Sequence, residues 1–560
     1  MAKRINSQTL FLTTSPRSPE KIIPEISLLI RNYEGQVWNK DSQCSYMKDL
    51  QLEPFFQGKG DADPAFSARD RINRAPKSLG FLTLKPTISL TPAGMSLLEN
   101  KRKEDVFLRQ LLKFQIPSPY HSPTEKAARF CVKPYLEILR LVRHMGSLKF
   151  DELQIFGMQL IDWRDFDKIV QKIHLFRKAK TEHKGKYNLF KTNYFNDELS
   201  KIYSRRIKVK EIKTRESEEV SLSKFLKTQS NNMRDYADAC FRYLRVTGLV
   251  NVSHVGKSLS IVPERTKEVD YLLKSISRDP IFVDNEQQYV AYLGNATLPT
   301  LYTDNKSFLT EQIRELLPNV QIDEEATIPY LKDLLASLIE KRKEVAMQKQ
   351  IKELKEYSLY DDIQLTYKHL LNKELYDAPL MLEWNTWRAM TMLNGGKIKA
   401  NLKFDDFGKP LSTAQGNMSD ILCDYGEYLL SVEVTMSSGK RQYDMEGEPV
   451  GRHLGAIKKA TNKPCYCLFI APTIDDACVA YFYALYKVSI SYYGGTSIIV
   501  PLPLKLFQKM LEESYKVEYV PSPKQVRRLF EFADGLAKTC ENEVEWYDGI
   551  QSAAMNWLAI

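Results

Sequence analysis

The stretch Gly416-Asn417-Met418-Ser419-Asp420-Ile421-Leu422-Cys423-Asp424-Tyr425-Gly426-Glu427-Tyr428-Leu429-Leu430-Ser431-Val432-Glu433-Val434-Thr435 reads as two strands joined by a tight turn. Through 430–435 apolar and polar residues alternate, the period of a strand with one buried face. Leu430, Val432 and Val434 fall on one face and Ser431, Glu433 and Thr435 on the other. The first is assigned to a core and the second to a site. With Tyr425-Gly426 as a two-residue turn, Asp424 opposes Glu427 and Asp420 opposes Ser431, which sets Glu433 diagonally across from Asp420. Diagonal neighbours stand about 7 to 8 Å apart at the backbone, near enough for two carboxylates to share a divalent ion. Surface hairpins also carry acids for solubility, but an acid between two valines is poorly explained that way.

Such a pair suits chemistry on an anionic ester, because oxygen-bound Mg²⁺ polarises a phosphoryl oxygen and acidifies a bound water. Downstream, Tyr443-Asp444-Met445-Glu446-Gly447-Glu448-Pro449-Val450-Gly451-Arg452-His453 reads as a loop entering a helix, with Pro449 at the first helical position. Glu446 would reach the metal or its water, Arg452 would hold a phosphate, and the His453 imidazole would orient water or carry a proton. A lone histidine is more often structural. Upstream, Glu383 in Leu382-Glu383-Trp384 lies in an apolar helix, where a carboxylate needs a partner or a metal-linked role.

Working outward, the rest of 377–560 alternates helix and strand, with strands expected near Asp420, Tyr428, Pro464 and Thr496, the pattern of an α/β domain. Residues 309–373 are rich in Leu, Glu and Lys at helical period, a helical linker with exposed charged faces. Two earlier segments share one grammar: a cationic helix, a glycine, then two short strands ending in proline. In the first, 66–78 leads to Gly80-Phe81-Leu82-Thr83-Leu84 and Ile88-Ser89-Leu90-Thr91-Pro92; in the second, 233–246 leads to Gly248-Leu249-Val250-Asn251-Val252 and Leu259-Ser260-Ile261-Val262-Pro263. That is the closing half of a winged helix, whose helix enters a major groove while the hairpin touches phosphates, although such units also serve as packing modules. Between them, 133–144 followed by a helix from Phe150 is a candidate third helix-turn-helix unit. A basic stretch with aromatics follows, including Arg177, Lys178, Lys180, Lys184, Lys186, Tyr187, Phe190, Lys191, Arg205 and Arg206, suited either to phosphate contact or to a solvated surface.

At 560 residues the chain should hold several domains, read as 1–125 and 126–300 (recognition), 301–375 (linker) and 376–560 (α/β). A net charge of +10 suits a polyanionic partner without demanding one. Eight scattered cysteines lack the spacing of a zinc finger or a disulfide framework, which points to buried thiols in a reducing compartment. No stretch approaches the roughly 20 apolar residues of a membrane span, and the start lacks the apolar core of a secretion signal. A soluble protein without a membrane partner is expected.

The run from Asp420 to Glu433-Val434-Thr435 resembles the PD-(D/E)XK nuclease core, in which an Asp and a Glu on adjacent strands bind metal and a lysine follows two residues later; in this chain Thr435 stands at the lysine position. With Glu-Val-Thr in that strand, the chain is similar to the AlwI family of type IIS restriction endonucleases and their strand-nicking relatives. The similarity extends to Ser15-Pro16-Arg17-Ser18-Pro19-Glu20-Lys21-Ile22, Phe66-Ser67-Ala68-Arg69-Asp70-Arg71, Asp105-Val106-Phe107-Leu108, Glu383-Trp384, Gly416-Asn417, Met445-Glu446-Gly447-Glu448-Pro449-Val450, Arg452-His453 and Cys467-Leu468-Phe469-Ile470-Ala471-Pro472.

The resemblance implies a multidomain α+β enzyme in which winged-helix modules recognise a short asymmetric site in double-stranded DNA. A nuclease domain would cut a few base pairs outside it with Mg²⁺ or Mn²⁺. Asp420, Glu433 and Glu446 would serve the metal, His453 would complete the catalytic set, and Glu383 would be an accessory acid. Arg17, Arg69, Arg71 and Lys77 would contact DNA. It further implies a bacterial cytoplasmic restriction system with a companion methyltransferase. Two alternatives stay open: a nicking enzyme that needs a second chain, identical or a small catalytic subunit, to cut both strands, and a non-catalytic winged-helix regulator.

Overall fold

The computed structural model describes the chain except residues 1–2, 5–7, 54, 57–61, 100–101, 123–128, 215, 394–395, 414–417 and 518–520, so Gly416 and Asn417 lie outside the described residues. It is a mixed α+β protein of two compact units, 1–338 and 339–560, as expected of the fold class. The break falls in the stretch read as a linker, which forms the helices Lys306–Leu316, Ile328–Lys355 and Tyr360–Leu371. Among the described residues no helix is long and apolar enough to cross a membrane. All eight cysteines are free thiols, five of them buried.

In the N-terminal unit the segment read as one helix over 66–78 is two, α1 (Pro64–Ile72) and a short turn of helix (Ala75–Ser78), because Pro76 cannot donate to a continuing helix. The hairpin after it, β1 (Leu82–Thr83) and β2 (Ser89–Leu90), is antiparallel with Leu82 opposite Leu90. The candidate third unit is not separate. After α2 (Pro134–Met145) the chain turns at Gly146, φ +70°, into β3 (Ser147–Lys149) and α3 (Phe150–Ile155). The later helix α4 (Leu222–Arg245) leads to the hairpin β4 (Val250–Ser253) and β5 (Ser258–Ile261), and β3 joins that hairpin in the order β3-β5-β4. Three extended residues with pairing partners thus weld two segments about a hundred residues apart into one module. Between α3 and α4 the basic stretch forms the helices Phe166–Glu182, Tyr187–Ile202 and Ser204–Lys208.

In the C-terminal unit, α5 (Ala378–Leu393) precedes a five-stranded sheet in the order β10-β9-β8-β7-β6, from β6 (Lys397–Ala400), β7 (Ile421–Asp424), β8 (Leu429–Val434), β9 (Cys465–Ala471) and β10 (Ile499–Pro503). β6, β7 and β8 pair antiparallel; β8, β9 and β10 run parallel through the crossover helices α6 (Lys440–Ala460) and α7 (Asp476–Lys487). Crossovers of one hand advancing in one direction lay α6 and α7 on one face, where they pack together. All seven residues of β9 are buried, the signature of a strand covered on both sides. The core gathers Ile421, Leu430, Val432, Leu454, Leu468, Phe482 and Phe507. At Gly455 a Cβ would stand 2.8 Å from the Cα of Tyr493, so α6 seats directly on that turn.

Two local expectations change. Tyr425 and Tyr428 pair, and the turn is Gly426-Glu427 with Gly426 at φ +82°, because the first central position of this two-residue turn demands positive φ. Pro449 lies inside α6 rather than at its start. The helix begins nine residues earlier because buried Gln442 donates to the carbonyls of Ser437 and Thr473 and accepts from the Asp475 N–H, anchoring its first turn.

Candidate active site

With Ile421 opposite Val432, the register extended by one residue places Asp420 directly across from Glu433 rather than diagonally. The shift is two residues, so it preserves the face of every side chain and shortens the separation between the acids. The Val434 N–H donates to Asp420 Oδ2 at 2.8 Å, pinning the carboxylate to the end of β8. The face assigned to a site is buried as well: Ser431, Glu433 and Thr435 are 1, 6 and 7 % exposed, with His453 and Glu446 of α6 against them.

On α6, Glu446 and His453 are seven residues apart, two turns, and project from one side of the helix. The His453 Nδ1 stands 3.0 Å from Glu433 Oε1, and Glu446 Oε1 accepts from the Thr435 hydroxyl at 2.8 Å. Strand and helix thereby bring Asp420, Glu433, Glu446 and His453 together. Arg452 pairs with Glu448 at 3.2 Å one turn earlier. Glu383 is buried on α5, a helix that packs against β8 and β6.

Burial and mutual repulsion disfavour the charged forms of all three acids. Burial, then the charge of Glu433, pushes the Asp420 carboxyl well above its ordinary value, and Glu446 adds to the effect. Burial and Glu446 do the same to Glu433, and burial raises Glu446. Burial, with Arg452 nearby, lowers His453 to about 4, so its ring is neutral at neutral pH. Among the described residues no Lys or Arg lies within ion-pair distance of the three acids, and no three His, Cys, Asp or Glu side chains already converge as a complete ligand set. Buried carboxylate oxygens that repel one another and have no cation in direct contact are donors of the kind a hard divalent ion takes. In donor type, though not yet in convergence, the residues suit the metal that the sequence implies.

The residues expected to touch DNA lie in the N-terminal unit and differ in availability. Arg17 is 74 % exposed, 3.5 Å from Asp238 on α4. Arg69 is exposed on α1. Arg71 is engaged within the fold, paired with buried Glu25 at 2.7 Å and lying over the Phe56 ring. Lys77 lies over the Tyr120 ring and is partly desolvated. Sequence reading began the second helix at Met233 and so missed the first eleven residues of α4, which carry Lys227 and Asn231; these and Arg234 beyond them are exposed at intervals of four and three, one stripe of the helix. The Ser221 side chain, accepting from the Lys224 N–H, was the available start signal.

No curated protein matches the chain. Solved structures that resemble it do so at low similarity. The small subunit of the heterodimeric restriction endonuclease R.BspD6I is 24 % identical with a TM-score of 0.28, covering 36 % of this chain and 96 % of that one. The BpuJ1 endonuclease binding domain, solved with pyrene- and phenanthrene-modified DNA, is 12 % identical with a TM-score of 0.34, covering 51 and 96 %. Restriction endonuclease FokI is 12 % identical with a TM-score of 0.24, covering 93 and 98 %. The AlwI restriction endonuclease family matches residues 77–510, a span that holds the acid cluster, α4 and both crossover helices; the chain belongs to that family and is a site-specific deoxyribonuclease of type IIS.

Proposed function

We propose that the C-terminal unit hydrolyses DNA phosphodiesters with Mg²⁺ a few base pairs outside a short asymmetric sequence read by the N-terminal unit. The observation that carries this reading is the buried cluster of Asp420, Glu433 and Glu446 beside His453, with no Lys or Arg partner among the described residues. Acids on adjacent strands of a mixed sheet with a helix over them support a PD-(D/E)XK-like core. Asp420 and Glu433 would hold the ion, with Glu446 as a further ligand or as the holder of its water. The ion, when bound, polarises the phosphoryl oxygen and acidifies the attacking water. Val434 and Thr435 fix the acids through hydrogen bonds. In the tautomer whose Nδ1 donates to Glu433, a neutral His453 presents an unprotonated Nε2, which would accept a proton from water or orient it.

For recognition, the order helix α2, strand β3, helix α3 and, after three inserted helices, helix α4 and hairpin, with a sheet of order β3-β5-β4, supports a winged helix with α4 as its reading helix. Lys227, Asn231 and Arg234 line its exposed stripe. Arg17, beside Asp238, extends that surface, and Arg69 supplies a further exposed cation. Arginine and asparagine are the side chains that bond bidentately to guanine and adenine edges.

The test is incubation of the purified protein with supercoiled plasmid and Mg²⁺, an EDTA control, and end mapping. Discrete fragments with ends at a constant offset from one sequence are expected. Products nicked in one strand would move the reading to a nicking enzyme that needs a second chain, since one acid cluster of this kind serves one phosphodiester at a time. Intact plasmid under conditions of specific binding would replace the nuclease by a DNA-binding regulator.

A further inference from the structure

The residue two places after Glu433 is a threonine whose hydroxyl is engaged on both sides. The Ser437 N–H donates to Thr435 Oγ1 at 3.0 Å, and Thr435 Oγ1 donates to Glu446 Oε1 at 2.8 Å. The first bond directs the second, because an oxygen whose lone pair is taken by an amide turns its proton elsewhere, and the acceptor there is Glu446. Thr435 is 7 % exposed and its N–H donates to the Ile470 carbonyl, so the hydroxyl is carried on backbone fixed by the sheet. The Ser437 carbonyl is in turn held by the buried amide of Gln442, which closes the loop between β8 and α6.

We infer that Thr435 is a positioning residue: its hydroxyl fixes the Glu446 carboxylate so that Oε2 faces the ion or the attacking water. The inference rests on the reading of the acid cluster as a metal site. A position that carries a cation in a generic nuclease core serves in this chain to orient an acid. A short hydroxyl on a rigid strand suits that task, since it has one proton to give and little rotamer freedom to lose. Without the hydroxyl, Glu446 stays in place on α6 but loses the bond that selects its rotamer.

The test compares Thr435→Val, which keeps the shape and removes the hydroxyl, with Thr435→Ser, which keeps the hydroxyl, and Glu446→Gln, in the full-length protein. Mn²⁺ binding without DNA is followed by electron paramagnetic resonance, alongside kcat and KM for plasmid cleavage and the thermal unfolding midpoint. Expected for Thr435→Val is Mn²⁺ affinity and kcat each lower by about 10- to 100-fold, the range for losing a residue that orients a ligand, with KM for DNA and the midpoint unchanged. Thr435→Ser should stay close to the parent. Thr435→Val with parental Mn²⁺ affinity and kcat, while Glu446→Gln loses both, would overturn the role of Thr435. So would a Thr435→Ser loss equal to that of Thr435→Val. Glu446→Gln with parental Mn²⁺ binding and cleavage would overturn the site reading itself, and this inference with it.

Discussion

In the N-terminal unit Glu137 is fully buried and meets the Arg278 guanidinium through two hydrogen bonds of 2.8 and 2.5 Å; in the C-terminal unit Glu433, also buried, meets a neutral imidazole and other acids. The same contrast holds more widely. Glu25 has Arg71, Glu152 has Arg177, and Glu268 has Arg265, whereas Asp420, Glu433 and Glu446 have no Lys or Arg within ion-pair distance among the described residues, and Arg452 acts on Glu433 only from farther off. A buried charge is tolerated when it is paired, and an unpaired one is expensive. The first set therefore reads as scaffold, and the second as a group of acids whose charged forms a bound ion would stabilise.

The widest gap between the two sets should appear in cleavage. Asp420→Ala or Glu433→Ala should lower cutting by about 10³-fold or more, the scale of removing electrostatic stabilisation of the reacting group. Specific binding in a gel-shift assay should persist, and retained cutting would break the comparison at its centre. Stability should then separate them by sign. Glu137→Gln, which strands the Arg278 guanidinium, should destabilise the protein by about 3 to 5 kcal/mol. In urea unfolding with EDTA, Glu433→Gln should stabilise it, because an amide escapes the penalty that burial, and then the charge of Glu446, places on the carboxylate in the fold. Equal losses for both variants would abolish the distinction.

A smaller effect is expected from the metal. Mg²⁺ at 100 times its dissociation constant should stabilise the parent by about 2.7 kcal/mol, and Asp420→Asn should remove that gain. The smallest comes from a cation held by backbone carbonyls. Lys113 is fully buried and donates to the carbonyls of Leu293 and Asn295 at the end of the helix Glu286–Gly294, and burial lowers it to about 7. Folding depresses this group, so the unfolded chain binds more protons between about 7 and the ordinary lysine value of 10.5, and stability should rise with pH across that window. Lys113→Met should flatten the rise in unfolding midpoint; an unchanged slope would show that the carbonyls hold the charge as well as a carboxylate does.

How much of this was legible in the sequence depended on range. The acids of β8 and β7 were readable because alternation fixes faces, and a wrong turn of two residues leaves faces intact. Glu446 and His453 were readable as a pair at helical spacing even with the helix start misplaced. The start was missed because it depends on Gln442 reaching Thr473 and Asp475, thirty residues away, which no local pattern records. The burial of the site face was missed for the same reason, as alternation reports what a strand offers and not what a crossover helix later lays over it. Arg71 looked like its exposed neighbour Arg69 until Glu25, forty-six residues earlier, supplied its partner.

The seating of Gly455 on Tyr493 bears on how this enzyme tolerates change. Glu446 and His453 ride on the same helix, so any side chain at 455 would lift both from the strand acids together. In a random library, replacements there should surface as clones that still grip their target and have lost the cut, marking a hereditary weak point whose chemistry is blank and whose geometry is everything.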